Sequence, residues 1–150
     1  MKRILTIAVW AATIVSCAGV QTASTTSSAP VASSDASGTI AQIYYWRAKP
    51  GKFEEYTRYV RDVAEPIDEE AHRRGAFLSV TTYMTQDTAS LWTHMRVFVL
   101  RDSAQLRGLS AALDSAGRRL EPDSAKRSQR GQYSATLRDR VGAATVAILR

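Results

Sequence analysis

Asparagine is absent from the chain, cysteine occurs once and histidine twice, and these gaps exclude whole classes of chemistry. A single thiol, Cys17, rules out an internal disulfide framework and any Cys-x-x-Cys motif. Glu69 and His72 have the Glu-x-x-His spacing of carboxylate-bridged metal centres. Those centres need a second such pair and further glutamates on neighbouring helices, so no metal is expected. The glycine-rich nucleotide loops and the Gly-x-Ser-x-Gly elbow are missing too, and no cofactor is implied.

Long hydrophobic runs are also lacking. A spanning helix needs about 17 to 25 apolar residues, and the longest uncharged, mostly apolar stretch is Ile4 to Ser16. Lys2 and Arg3 precede it, so residues 1–16 read as a secretory signal. Ile14-Val15-Ser16-Cys17 resembles the bacterial lipobox, and the resemblance implies acylation of Cys17 after cleavage before it. Ordinary cleavage after Ala18 is the other reading of the same residues, because Ser16 and Ala18 satisfy a small-x-small rule. Residues 17–38 are mostly Ala, Ser and Thr and cannot bury enough surface to fold, so they are expected to form a tether. The lipobox resemblance, with Ala18 after the cysteine, implies an outer-membrane lipoprotein facing the periplasm. A soluble periplasmic or secreted protein is the alternative. The bilayer is thus an expected partner, through Cys17.

Residues 39–150 are expected to form one domain. The formal net charge is +6, and its excess lies in residues 101–150, with ten Lys and Arg against five Asp and Glu. The basic run Arg118, Arg119, Lys126, Arg127 and Arg130 reads as solvated surface, with anionic headgroups as the alternative, and export argues against nucleic acid.

Periodicity supplies the element order. Thr39 to Arg47 predicts a strand, stopped by Pro50-Gly51. Phe53, Tyr56, Val60, Val63, Ile67 and Ala71 then mark a helical face over Lys52 to Arg73, with a kink at Pro66 and a stop at Gly75. Ala76 to Thr85 and Leu91 to Leu100 alternate as the two strands of an antiparallel hairpin. Asp102 caps a second helix, ended by Glu121-Pro122. Asp123 to Arg138 is weakly patterned and predicts a short surface helix, and Ala143 to Leu149 a last strand.

This order is the ferredoxin-like βαββαβ arrangement, an α+β fold whose antiparallel four-stranded sheet has strands 1 and 3 at its centre and helices on one face. With Pro50-Gly51-Lys52 opening the first helix, Glu55-Tyr56 after it, Pro66 within it and Gly75 before the second strand, the domain resembles the dimeric α+β barrel superfamily. Its antibiotic-biosynthesis monooxygenase-like and NIPSNAP-like members belong there. The resemblance implies a homodimer whose paired sheets close a barrel around a small-molecule ligand. The haem-degrading branch uses a lumen Asn, which this sequence does not have.

The third strand carries the candidate site. Leu91, Met95, Val97 and Val99 are expected beneath the helices, leaving Trp92, His94, Arg96 and Phe98 on the other face. Trp92, His94 and Arg96, with Tyr83, Tyr44 and Trp46, are the expected ligand-binding residues, suited to stacking on a ring and pairing with an anion. The function expected is ligand binding by an anchored lipoprotein. Turnover by a cofactor-independent monooxygenase or isomerase using His94 as acid or base is one alternative, and a structural envelope lipoprotein without ligand is another.

Overall fold

The computed structural model describes residues 38–148; the signal, Cys17 and the body of the tether lie outside them. Strand β1 (Ile40–Ala48) is followed by α1 (Phe53–Tyr59), a π-helical turn (Val60–Ala64) and α2 (Glu65–Arg73). Strands β2 (Ser79–Met84) and β3 (His94–Leu100) form a hairpin, and α3 (Ser103–Leu120), α4 (Ser124–Leu137) and β4 (Arg138–Ala147) complete the domain. The sheet is fully antiparallel in the order β2-β3-β1-β4, so the first and third strands are central, as the element order requires. This is the ferredoxin-like α+β fold with α4 added between its second helix and last strand.

Local chemistry fixes the joints. Pro50-Gly51 makes the turn out of β1, with Gly51 at φ +71° and the Lys52 amide donating to the Lys49 carbonyl at 2.9 Å. Pro66 neither ends the first helix nor simply kinks it. The chain widens into the π turn just before it, where the Glu65 amide reaches back to the Val60 carbonyl, and α2 restarts with Pro66 in its first turn, where no amide donor is required. At the end of α2 the amides of Gly75 and Ala76 return to the carbonyls of His72 and Ala71, a Schellman closure that places Gly75 at φ +77°. Asp102 and Asp123 cap α3 and α4 through their side-chain oxygens.

The core lies between one sheet face and the helices. Phe77, Phe98, Leu100, Leu109 and Ala116 form its larger cluster, and Tyr56, Val60 and Leu137 a smaller one beside Trp46. Three sequence expectations shift here. β2 begins at Ser79 rather than Ala76, because Phe77 drops into the core before the ladder starts. α4 is anchored by the buried Ser134 and Leu137 despite its polar composition. β4 begins at Arg138 rather than Ala143, since Arg138-Asp139-Arg140 hides a strand behind charged side chains whose guanidinium planes lie over aromatic rings.

Candidate functional site: a cleft at Arg96

The alternation of β3 is real, but its faces are the reverse of the sequence expectation. His94, Phe98 and Leu100 are buried under the helices together with Arg96, while Met95, Val97 and Val99 point to the uncovered side. Cross-strand pairing carries the same parity through the sheet. Gln42, Tyr44 and Trp46 oppose Phe98, Arg96 and His94, and Val80 and Thr82 oppose Phe98 and Arg96. The helix side accepts ionisable residues because the helices supply their partners; a small branched stripe on one face does not identify it as the inner one.

The six expected ligand-binding residues therefore divide. Tyr44, Trp46, His94 and Arg96 share the helix side. Tyr83 stands opposite Met95 on the uncovered side, half exposed, and Trp92 leans on Tyr45 there at 6.4 Å between ring centroids.

His94 is completely buried and both ring nitrogens are engaged. Nε2 lies 3.0 Å from Thr57 Oγ1, whose hydroxyl donates to the Phe53 carbonyl at 2.9 Å. Thr57 can then only accept from the ring, which places the proton on Nε2. Nδ1 then accepts from the Thr93 hydroxyl at 2.9 Å, which the Trp46 carbonyl shares at the longer distance of 3.4 Å, while Thr93 Oγ1 itself accepts the Ala48 amide. The chain of bonds joins β1, β3 and α1. Phe53 and Tyr56 close over the ring at 5.0 and 4.4 Å. Burial, aided by the charge of Arg138, holds the His94 pKa down to about 4, so the imidazole is neutral at physiological pH and ties elements together.

Arg96 is different. Its side chain is only 12% exposed, and its guanidinium pairs with the Asp68 carboxylate of α2 within the same chain, yet Nε has no hydrogen-bond partner among the described residues. Burial pushes its pKa down, but a guanidinium remains charged. This polar group borders two adjoining cavities. One, of about 380 Å³, is walled by Tyr44, Trp46, Phe98 and Arg140 against Ser110 and Leu113 of α3. The other, of about 420 Å³, runs on between α2, α3 and α4 to Arg118, Arg127 and Arg130, and both share Arg96, Leu113 and Asp114. A third space of about 330 Å³ touches Arg96 and Asp68 from the β2 side. Arg138 lies over the Trp46 ring at 3.3 Å and Arg140 over Tyr44 at 4.9 Å, so cations already hold these aromatic walls flat.

The sequence does not single out Asp68, Asp114 and Arg140; Arg118 is exposed, as expected of solvated surface, while Arg127 and Arg130 are only partly exposed. The basic run in fact divides. Arg119 bonds Glu70 at 2.8 Å, joining Arg73 and Arg74 on that carboxylate, whose pKa is held down to about 2 by the bonds from Arg74 and Arg119, whereas Arg118, Arg127 and Arg130 border the cleft. The available signal was Arg96 itself: a charged residue at the centre of a helix-facing strand requires an acid on the facing helix, and Asp68 lies on the buried side of α2. His72 stacks on Phe77 at 5.6 Å and meets the Leu78 carbonyl at 3.0 Å; no group of three metal-ligating side chains occurs among the described residues.

No family model and no curated protein matches the chain. Among solved structures, HapK from Hahella chejuensis superimposes with TM-score 0.52 at 12% identity over 73% of this chain and 92% of its own. SnoaB, a cofactor-independent oxygenase from Streptomyces nogalater, follows with TM-score 0.43 at 11% identity over 75% and 95% of the two chains. A dimeric ferredoxin-like protein of unknown function from Jannaschia sp. CCS1 gives 0.46 at 12% over 75% and 100%. At these identities the HapK likeness shows the fold alone, and the other two add no weight to it.

Proposed function

We propose that the domain binds a small, partly aromatic or anionic molecule in the cleft bordered by Tyr44, Trp46 and Arg96. The observation that carries this reading is the buried guanidinium of Arg96, whose Nε has no partner among the described residues beside two adjoining cavities. A desolvated donor of this kind costs free energy unless something accepts from it. A ligand oxygen seated between Tyr44 and Leu113 does so. Trp92, Tyr83 and the buried His94 are not part of this cleft. The protein isolated from its producing cell and then denatured should release a small molecule, identified by mass spectrometry; Arg96→Met should release none. Equal release from both proteins sinks the reading.

A second reading is turnover in the same place, as a cofactor-independent oxygenase or isomerase. A buried cation lowers the pKa of an enol or phenol bound to it and so favours the carbanion-like form that such reactions start from. Oxygen uptake or isomerisation that persists in a His94→Gln protein and disappears in Arg96→Met supports it.

Self-association is proposed for the uncovered sheet face. Ile43, Tyr45, Met95, Val97 and Val99 form a stripe there without helices over it among the described residues, flanked by the exposed Tyr83 and Val146, and a second copy of the same face is its natural cover. Anchoring through Cys17 remains a proposal from sequence. No helix among the described residues is long and apolar enough to cross a membrane, so attachment by that route rests on acylation. Cys17→Ser should move the protein from the membrane to the soluble fraction; an unchanged distribution contradicts it.

A further inference from the structure

We propose that the cavity under α4 is a subsite for an oxyanion, a phosphate or carboxylate carried by the ligand whose apolar part lies against Tyr44 and Trp46. The proposal rests on the binding reading above and assigns the second half of the cleft. Two independent observations support it.

The first is the arginines. Arg127 is held in place by the carbonyls of Glu121 and Pro122 at 2.8 and 2.6 Å, and neutral acceptors leave its charge uncompensated. Arg118 and Arg130 border the same cavity and have no hydrogen-bond or ion-pair partner among the described residues. Against these three cations stand Asp114, also unpaired, and Asp68, whose charge is spent on Arg96. The excess is positive, and forked guanidinium donors suit the oxygens of phosphate or carboxylate. Asp114, at the junction of the two cavities, is placed to accept from a hydroxyl of the same ligand.

The second is Gly131. It sits in the middle of α4, where glycine is unfavourable relative to alanine, and a Cβ built on it would meet nothing within 4 Å. Helix packing therefore does not require glycine. Gly131 is exposed and borders the cavity, in the element that the fold adds beyond its two ordinary helices.

The test is calorimetric titration of the full chain with 1-naphthol, 1-naphthyl phosphate and inorganic phosphate. Naphthyl phosphate should bind about tenfold or more tighter than 1-naphthol, as expected of charge-assisted bonds gained at one end. Arg118→Gln/Arg130→Gln should remove that preference and leave 1-naphthol affinity unchanged, and Gly131→Leu, which adds a side chain at the border of the cavity without altering charge, should do the same. Arg107→Gln, the same charge change on an exposed part of α3, should alter nothing. Equal affinities for the two naphthyl probes, or a preference that survives both cavity variants, overturn the subsite while 1-naphthol binding that is lost in Arg96→Met keeps the cleft reading. Binding of inorganic phosphate alone supports the anion site and overturns the apolar half. Failure of all three probes overturns both.

Discussion

The two faces of one sheet are built from alternate residues of the same strands and differ in almost every physical respect. On the helix side the ionisable and polar groups are buried and met by the helices: His94 by Thr57 across the interface, and Arg96 in part by Asp68, with Nε left over. On the other side Ile43, Met95, Val97 and Val99 are apolar, partly exposed and without a covering helix among the described residues. A buried charge on a strand thus marks the side where other elements can answer it, and an apolar side lacking such elements marks a contact still to be made.

The comparison breaks most visibly at two neighbours in β3. Phe98→Ala removes a ring packed between Tyr44 and Phe77 at 5.9 and 5.1 Å and should cost about 3–5 kcal/mol in denaturant unfolding. Val97→Arg, one residue away, should leave the fold intact and abolish self-association in sedimentation. If Val97→Arg unfolds the chain instead, the uncovered face is core and the distinction fails.

Asp68→Ala should be comparably severe, about 3–5 kcal/mol, because it strands the Arg96 charge in a buried site. Asp68→Ala combined with Arg96→Met should recover much of that loss. A double variant no better than the single one would mean that the pair is not coupled as described.

The His94 network sharpens the comparison through pH. Its folded pKa of about 4 lies below the ordinary 6.5, so between these values the unfolded chain binds a proton that the folded one refuses. Stability should be complete above about pH 6.5, decline as pH falls towards 4 and level off in this component below it. The total is about 3 kcal/mol, at 1.36 kcal/mol per pKa unit. His94→Gln should flatten that slope. The Glu70 cluster adds a separate loss at lower pH, between the ordinary 4.5 and about 2, as its carboxylate protonates and releases Arg74 and Arg119. The smallest expected effect is Gly131→Ala, a gain of about 0.5–1 kcal/mol from helix propensity, since its Cβ has room.

The sequence made the architecture legible where periodicity and turn chemistry agreed. Pro50-Gly51, Gly75 and the Asp102 cap fell where expected, and the hairpin and central strands followed. It left the site half legible, for a physical reason. Period two separates Arg96 from Val97 but gives no sign of which faces inward, and the rule that apolar residues go inside pointed the wrong way. Tyr44, Trp46 and Arg96 do share one side of the sheet; Tyr83 was grouped with them through that inverted parity, and Trp92 because the strand begins at His94 rather than Leu91. The packing of Arg127 and Arg130 was not legible because α4 has too few apolar residues to signal that it packs, although the buried Leu137 at its end does so.

The most direct test of the account is native mass spectrometry of two single variants isolated from the producing cell, Val97→Arg and Arg96→Met. The account predicts a monomer that still carries its small molecule for Val97→Arg and an empty dimer for Arg96→Met. An empty Val97→Arg monomer, or a dimer that keeps its ligand without Arg96, would contradict the separation of the two faces.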